Sequence, residues 1–328
     1  MKRQKRHVGL CLLFIIFFFI TSLTSGEKNK PAKNYGQHTI KANMIFFYYK
    51  NLDKAVAFYE KIMGLPEVLD YGFAKAFQLS QTSYLCLVDE SKGMHRASEP
   101  KTVTLSIITQ EVDGWYQYLK EAGVKIHSPL SESSRLPIKG FVALDSEGYY
   151  LEFETFKEHE QNKRILPLLE KITPLYPAQE KENVRPSELG IQGTIFWLYY
   201  KNLSEACDFY KNTLRLEFLV DQGFAHIYAS SASGFIGPVD ASQGLHSFSE
   251  EKSVNIGFIT DEIDRWYQYL IKKDLKMRGP LEEAEQDRVR AFVTFDVGGY
   301  YLEFDSFNLH PDNQRLLLSL EKDLKFLN

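Results

Sequence analysis

Apolar positions along this chain switch between two spacings. A continuous apolar run at residues 44–49 predicts a strand, and the polar stretch Lys50-Asn51-Leu52-Asp53 turns the chain after it. Ala55, Phe58, Tyr59, Ile62 and Met63 then recur three and four residues apart, which predicts a helix that Gly64 closes. Three short runs, at 73–79, 83–88 and 102–109, predict strands. Helical spacing returns at 112–119 and ends at Gly123. Two further strands, 141–144 and 149–153, flank the turn Asp145-Ser146-Glu147-Gly148. The order of elements is two β-α-β-β-β halves in tandem.

The whole pattern then occurs a second time, 151 residues later. From residue 44 to residue 171 the copies align without a gap, and 53 of 128 positions are identical. Each copy is the size of a domain, so this is a duplication and not a solenoid. A tail follows each copy: His159, Asn162, Arg164, Leu166, Leu169, Glu170 and Lys171 return as His310, Asn313, Arg315, Leu317, Leu320, Glu321 and Lys322, and their spacing predicts an amphipathic helix. The segment 172–190 carries three prolines and reads as the connection between copies. The expected organisation is an export signal at 1–26, a polar linker at 27–40, domains at 41–156 and 191–307, a helix and linker at 157–190, and a C-terminal helix at 308–328.

Charge changes this picture at the N-terminus. Lys2, Arg3, Lys5 and Arg6 precede an apolar run at 8–20 that is short for a membrane span, which implies a cleaved signal peptide and a periplasmic or secreted protein. An uncleaved anchor is the alternative; no other membrane association is expected. Without residues 1–26 the body holds 35 basic against 43 acidic residues, which argues against nucleic acid as a partner. Of the three cysteines, Cys11 lies in the signal, and Cys86 and Cys207 fall at non-equivalent places in the copies, so no disulfide is shared by the domains.

The phrases Asn51-Leu52, Phe58-Tyr59 and Gly64, with the stretch Phe141-Val142-Ala143-Leu144-Asp145-Ser146-Glu147-Gly148-Tyr149-Tyr150-Leu151-Glu152-Phe153, resemble the vicinal-oxygen-chelate superfamily. That superfamily includes glyoxalase I, bleomycin-resistance proteins and extradiol dioxygenases. The second copy repeats the phrases as Asn202-Leu203, Phe209-Tyr210 and 296–304. The resemblance implies an α+β fold: a tandem duplication in which each domain is two βαβββ modules curled into a cup, helices packed outside. It also implies metal ligands on the first and last strand of each half. Carried over, those places hold Met44, Cys86, Thr102 and Glu152 in copy one, and Ile195, Gly237, Ser253 and Glu303 in copy two. One carboxylate in each set is too few donors for a catalytic divalent ion. No metal ligand set and no cofactor are expected; a divalent Zn, Ni, Mn or Fe is the alternative.

Glu152 and Glu303 are the candidate catalytic carboxyls. His95 and His246 close the shared phrase Val88-Asp89, Ser91, Gly93, His95 and its copy, and are candidate proton donors. Phe46, Tyr48, Trp197 and Tyr199 are expected to line the cups by strand parity, and Cys86, at a position the resemblance implies, is a further candidate ligand contact. Lys75 and His226 face each other in the comparison as further ligand contacts. Trp115-Tyr116-Gln117-Tyr118-Leu119, repeated at 266–270, reads as outer-helix packing. The expectation is an exported protein that binds a small organic molecule in one cup per domain. The alternatives are a metal-dependent lyase, isomerase or dioxygenase, and a metal-free acid–base enzyme using Glu152 with His95. Pairing of the two domains within the chain is left open.

Overall fold

The computed structural model describes residues 39–177 and 184–325; the proposed export signal and nearly all of the linker after it lie outside these residues. Copy one runs β1 (Ala42–Tyr49), α1 (Leu52–Ala57), β2 (Glu67–Asp70), β3 (Ala74–Ser80), β4 (Ser83–Asp89), β5 (Val103–Ile108), α2 (Val112–Glu121), β6 (Ile126–Glu132), β7 (Ile138–Leu144) and β8 (Tyr150–Phe156), then α3 (Leu166–Leu169). Copy two repeats this as β9 (Gly193–Tyr200), α4 (Leu203–Asp208), β10 (Glu217–Asp221), β11 (His226–Ala229), β12 (Gly234–Asp240), β13 (Val254–Ile259), α5 (Ile263–Lys272), β14 (Glu282–Ala284), β15 (Val289–Phe295) and β16 (Tyr301–Phe307), then α6 (Gln314–Lys325). Asn51 and Asn202 start the first helix of each copy by accepting the N–H groups of Lys54 and Glu205 at 2.9 and 3.2 Å.

Two strands per copy escaped the sequence pattern on the described residues, β2 with its partner β10 and β6 with its partner β14. All four end a sheet, where one face at most is covered and the apolar signal is weak. In β6, Pro129 interrupts the pattern further.

The sheets do not follow the copies. One has the order β14-β15-β16-β13-β1-β4-β3-β2, the other β10-β11-β12-β9-β5-β8-β7-β6. Each therefore joins the first half of one copy to the second half of the other, through the antiparallel pairs β1–β13 and β5–β9. The expectation of one cup per copy is corrected here: both cups are mixed. Two tyrosines fasten the exchange. Tyr149 Oη accepts the Tyr48 N–H (2.9 Å) and donates to the Ser253 carbonyl (2.7 Å). Tyr300 does the same in mirror, accepting from Tyr199 N–H (2.8 Å) and donating to the Thr102 carbonyl (2.6 Å). Each hydroxyl thus ties one copy to the other at buried positions where an unpaired group would be costly.

The convex faces of both sheets and helices α1, α2, α4 and α5 form one apolar core that includes Phe47, Trp115, Phe196 and Trp266. Trp115 donates its indole N–H to the Gly190 carbonyl at 3.2 Å, as outer-helix packing requires. The tails depart from the family picture of outside helices. Leu316 and Leu320 of α6 pack with Ala42, Met44 and Tyr84, and Ile165 and Leu169 around α3 pack with Ile108, Ile195 and Phe235. These strand residues share parity with the cup linings, so each tail closes one end of a cup. Pro167 sits in the first turn of α3, which is four residues long, whereas α6 has Leu318 at that place and runs twelve.

The connection is pinned by Arg185, which is 5% exposed. Its guanidinium donates to the carbonyls of Met63 (3.0 Å), Leu175 (2.8 Å) and Leu189 (2.8 Å), and lies 4.8 Å from the Trp115 ring centroid. Burial lowers its pKa to about 9, and Glu111 opposes the fall.

Candidate functional site: two mixed cups

Strand alternation decides what faces each cavity. The first cup lies between β1–β4 and β13–β16. Met44, Phe46, Tyr48 and Cys86 face it from copy one, and Glu303 and Asp305 from copy two, around about 160 Å³ of space. The second lies between β9–β12 and β5–β8. Trp197, Tyr199, Phe224 and Val239 face Glu152 and Glu154 around about 320 Å³. Cys86 therefore shares a cup with Glu303, not with Glu152.

Each cup holds a pair of acids two residues apart on its last strand. Sequence reading found Glu152 and Glu303 and missed Glu154 and Asp305. The signal was present: each missed acid has the parity of its neighbour, and position 154 stays acidic in the copy as 305. Glu154 is 1% exposed and Asp305 3%. Burial raises all four carboxyls, and like charge adds to the rise of Glu152, Glu303 and Asp305. Glu152 stands well above its ordinary range from burial and then Glu154, with Trp197 opposing. Burial brings Glu154 up to about 7 against a hydrogen bond from the Ser106 hydroxyl. Asp305 is raised well above by burial and then Glu303. Burial raises Glu303 less, because Asn255 Nδ2 donates to its Oε2 at 2.9 Å. One oxygen of Glu154 and one of Asp305 have no hydrogen-bond partner among the described residues. Two such acids cannot both ionise cheaply without a cation. The Cys86 thiol is pushed well up by burial, then by Glu303 and Asp305, and is inert.

The histidines sit behind the walls. His95 lies between Tyr48 (5.2 Å between ring centroids) and Tyr301 (4.5 Å), and its Nδ1 is 2.7 Å from Glu99 Oε2. Burial lowers its pKa, while Glu99 and Asn255 favour the charged form. His246 is placed alike, between Tyr199 (5.0 Å) and Tyr150 (4.3 Å), and burial followed by His127 lowers it to about 4. The expected pairing of His95 with Glu152 is corrected: they belong to different cups.

Lys75 and His226 are corrected as well. On β3 it is Ala74 and Ala76 that face the cavity, so Lys75 points away, with Nζ at 3.2 Å from Glu67 and 2.5 Å from Asp70. His226 points outward to Asp221 (3.3 Å) and packs on Phe218.

The crossed halves also regroup the metal positions implied by the resemblance, into Met44, Cys86, Ser253 and Glu303 in one cup and Ile195, Gly237, Thr102 and Glu152 in the other. These do not fit the group. The Ser253 hydroxyl is engaged by Tyr149 Oη and the Arg96 carbonyl, and at Thr102 Tyr300 takes the backbone carbonyl. A Cβ at Gly237 would fall 2.0 Å from the Trp197 ring, so the indole fills the space a ligand side chain would need. Among the described residues, no three His, Cys, Asp or Glu side chains are grouped to hold a metal ion. Gly237→Ala is expected to displace the indole at a cost of about 1–3 kcal/mol and to close the second cup. Thermal unfolding with Trp fluorescence checks this; an unchanged midpoint and spectrum would refute it.

Comparison with known proteins places the fold. The family model described as Glyoxalase/Bleomycin resistance protein/Dioxygenase superfamily matches residues 41–153. A provisionally named dioxygenase from Bacillus subtilis subsp. subtilis str. 168 is similar in structure, with a TM-score of 0.60 at 14% identity, over 86% of this chain and 91% of that one. Glyoxalase I from Zea mays is similar with a TM-score of 0.56 at 12% identity, over 85% and 95%. No curated protein sequence matches the chain. Residues 41–153 are therefore a domain of the Glyoxalase/Bleomycin resistance protein/Dioxygenase superfamily, and the chain carries this vicinal-oxygen-chelate fold twice in tandem.

Proposed function

We propose that the chain is an exported binder of small organic molecules that works without the family's metal. The observation that carries this reading is the pair of aromatic-walled cavities, about 160 and 320 Å³, each with two acids at its base and no family-type ligand set. Export rests on residues 1–26. No helix among the described residues is long and apolar enough to cross a membrane. The test is elemental analysis of the protein without residues 1–26, purified free of chelators and again after incubation with Zn, Ni, Mn and Fe(II), followed by a small-molecule binding screen. No stoichiometric metal together with saturable binding is the expected result. A tightly held metal in each cup would overturn it and favour the lyase, isomerase or dioxygenase alternative. The acid–base alternative keeps one support: Asn255 binds Glu303 of the first cup, and His95 lies behind the same wall against Tyr48. It predicts turnover that Glu303→Gln abolishes with binding intact.

A further inference from the structure

We propose that the second cup takes an organic ammonium ion, its nitrogen held by Glu152 and Glu154 and its apolar part against Trp197, Tyr199 and Phe224; this rests on the reading of the cups as small-molecule sites. The first support is an unmet demand. Glu154 is 1% exposed, one of its oxygens takes the Ser106 hydroxyl, and the other has no partner among the described residues. It lines the cavity beside Glu152, and no Lys, Arg or His lines it with them. A buried acid pair of this kind lacks a counter-charge that the protein does not supply.

The second support is the wall. Aromatic faces attract cations, and Arg135 already lays its guanidinium over the Phe224 ring, 4.8 Å from the centroid, while reaching the lining residue Gln243. The mouth of the cup thus accommodates a cation on an aromatic face. A divalent metal fits less well, because two carboxyls and one hydroxyl fall short of its oxygen shell. The other cup differs in three respects: Asn255 already binds Glu303, Lys92 lines the cavity, and the space is half as large.

The probes are 2-phenylethylammonium, 2-phenylethanol and 3-phenylpropionate, similar in size and different in charge. Trp197 reports binding by fluorescence, since Trp115 and Trp266 are buried under the outer helices; Trp197→Phe removes the signal, and calorimetry gives an independent reading. The ammonium is expected to bind at least about tenfold more tightly than the alcohol. Glu154→Gln and Glu152→Gln, each confirmed folded by thermal unfolding, should abolish that preference and retain the alcohol. Equal affinities, or tighter binding of the alcohol or the carboxylate, would overturn the ammonium proposal and leave the binder reading standing. No binding of any probe by either method, in folded protein, would overturn both.

Discussion

Replacing Asp145 by alanine is expected to cost about 3–5 kcal/mol and to lower the unfolding midpoint by about 5–9 °C. One carboxylate there serves five donors. Oδ2 accepts the hydroxyls of Tyr49 (2.5 Å) and Tyr59 (3.0 Å), and Oδ1 accepts the N–H groups of Glu147, Gly148 and Tyr149 at 2.8–2.9 Å. Burial raises its pKa and these bonds oppose the rise. The loss would reach the cups, because the turn it organises delivers both β8, with Glu152 and Glu154, and Tyr149, which ties the copies together. Asp145→Asn keeps an acceptor for the three N–H groups and should cost about 1–2 kcal/mol. Asp296 repeats the arrangement with Tyr200, Tyr210, Gly298 and Tyr300, so its alanine variant should behave alike. A midpoint for Asp145→Ala within about 2 °C of wild type would show that the five bonds are dispensable.

Glu154→Gln is expected to do the opposite, and only at higher pH. With the cup empty, burial moves this carboxyl from an ordinary 4.5 to about 7 in the folded state. A raised acid contributes its full stability below the unfolded value and loses it as pH rises through the folded one. The wild type should therefore lose on the order of 3 kcal/mol between pH 4.5 and 8 from this group alone. Glutamine cannot ionise and keeps a carbonyl for Ser106. Chemical denaturation of both proteins at pH 5 and pH 8 isolates the effect: the variant should gain on wild type at pH 8 and match it near pH 5. A constant difference across that range would place the titration elsewhere.

The helices and central strands were readable because their two spacings occur twice in one chain. The outer strands were not, since an edge strand such as β2, with Glu67 and Asp70, need not be apolar. Parity placed Phe46, Tyr48, Trp197 and Tyr199 correctly, because on long central strands the count cannot slip. Lys75 and His226 were placed by their equivalence in the two copies and not by parity, and on or beside their strands Ala74, Ala76 and Ala225 mark the cavity side. The cup-facing members of β5 and β13 are Ser106 and Asn255, not Thr102 and Ser253, which precede those strands. The exchange of halves was not legible, because β1 and β5 are largely apolar central strands and either could accept a partner from its own copy or the other. Long-range packing decides that, through bonds such as Tyr149 to Ser253, which no local pattern encodes.

The exchange also governs how this protein can diverge. A duplicated gene ordinarily releases one copy to drift while the other keeps the original task. Here residues 42–89 and 254–307 build one cup, and 103–156 and 193–240 build the other. Selection on either cavity therefore acts on both copies at once, and neither copy can be silenced alone. The units free to specialise are the crossed halves, which have no counterpart in the order of the gene. A stop codon after the first copy would not leave a protein with one working cup; it would remove one wall from each.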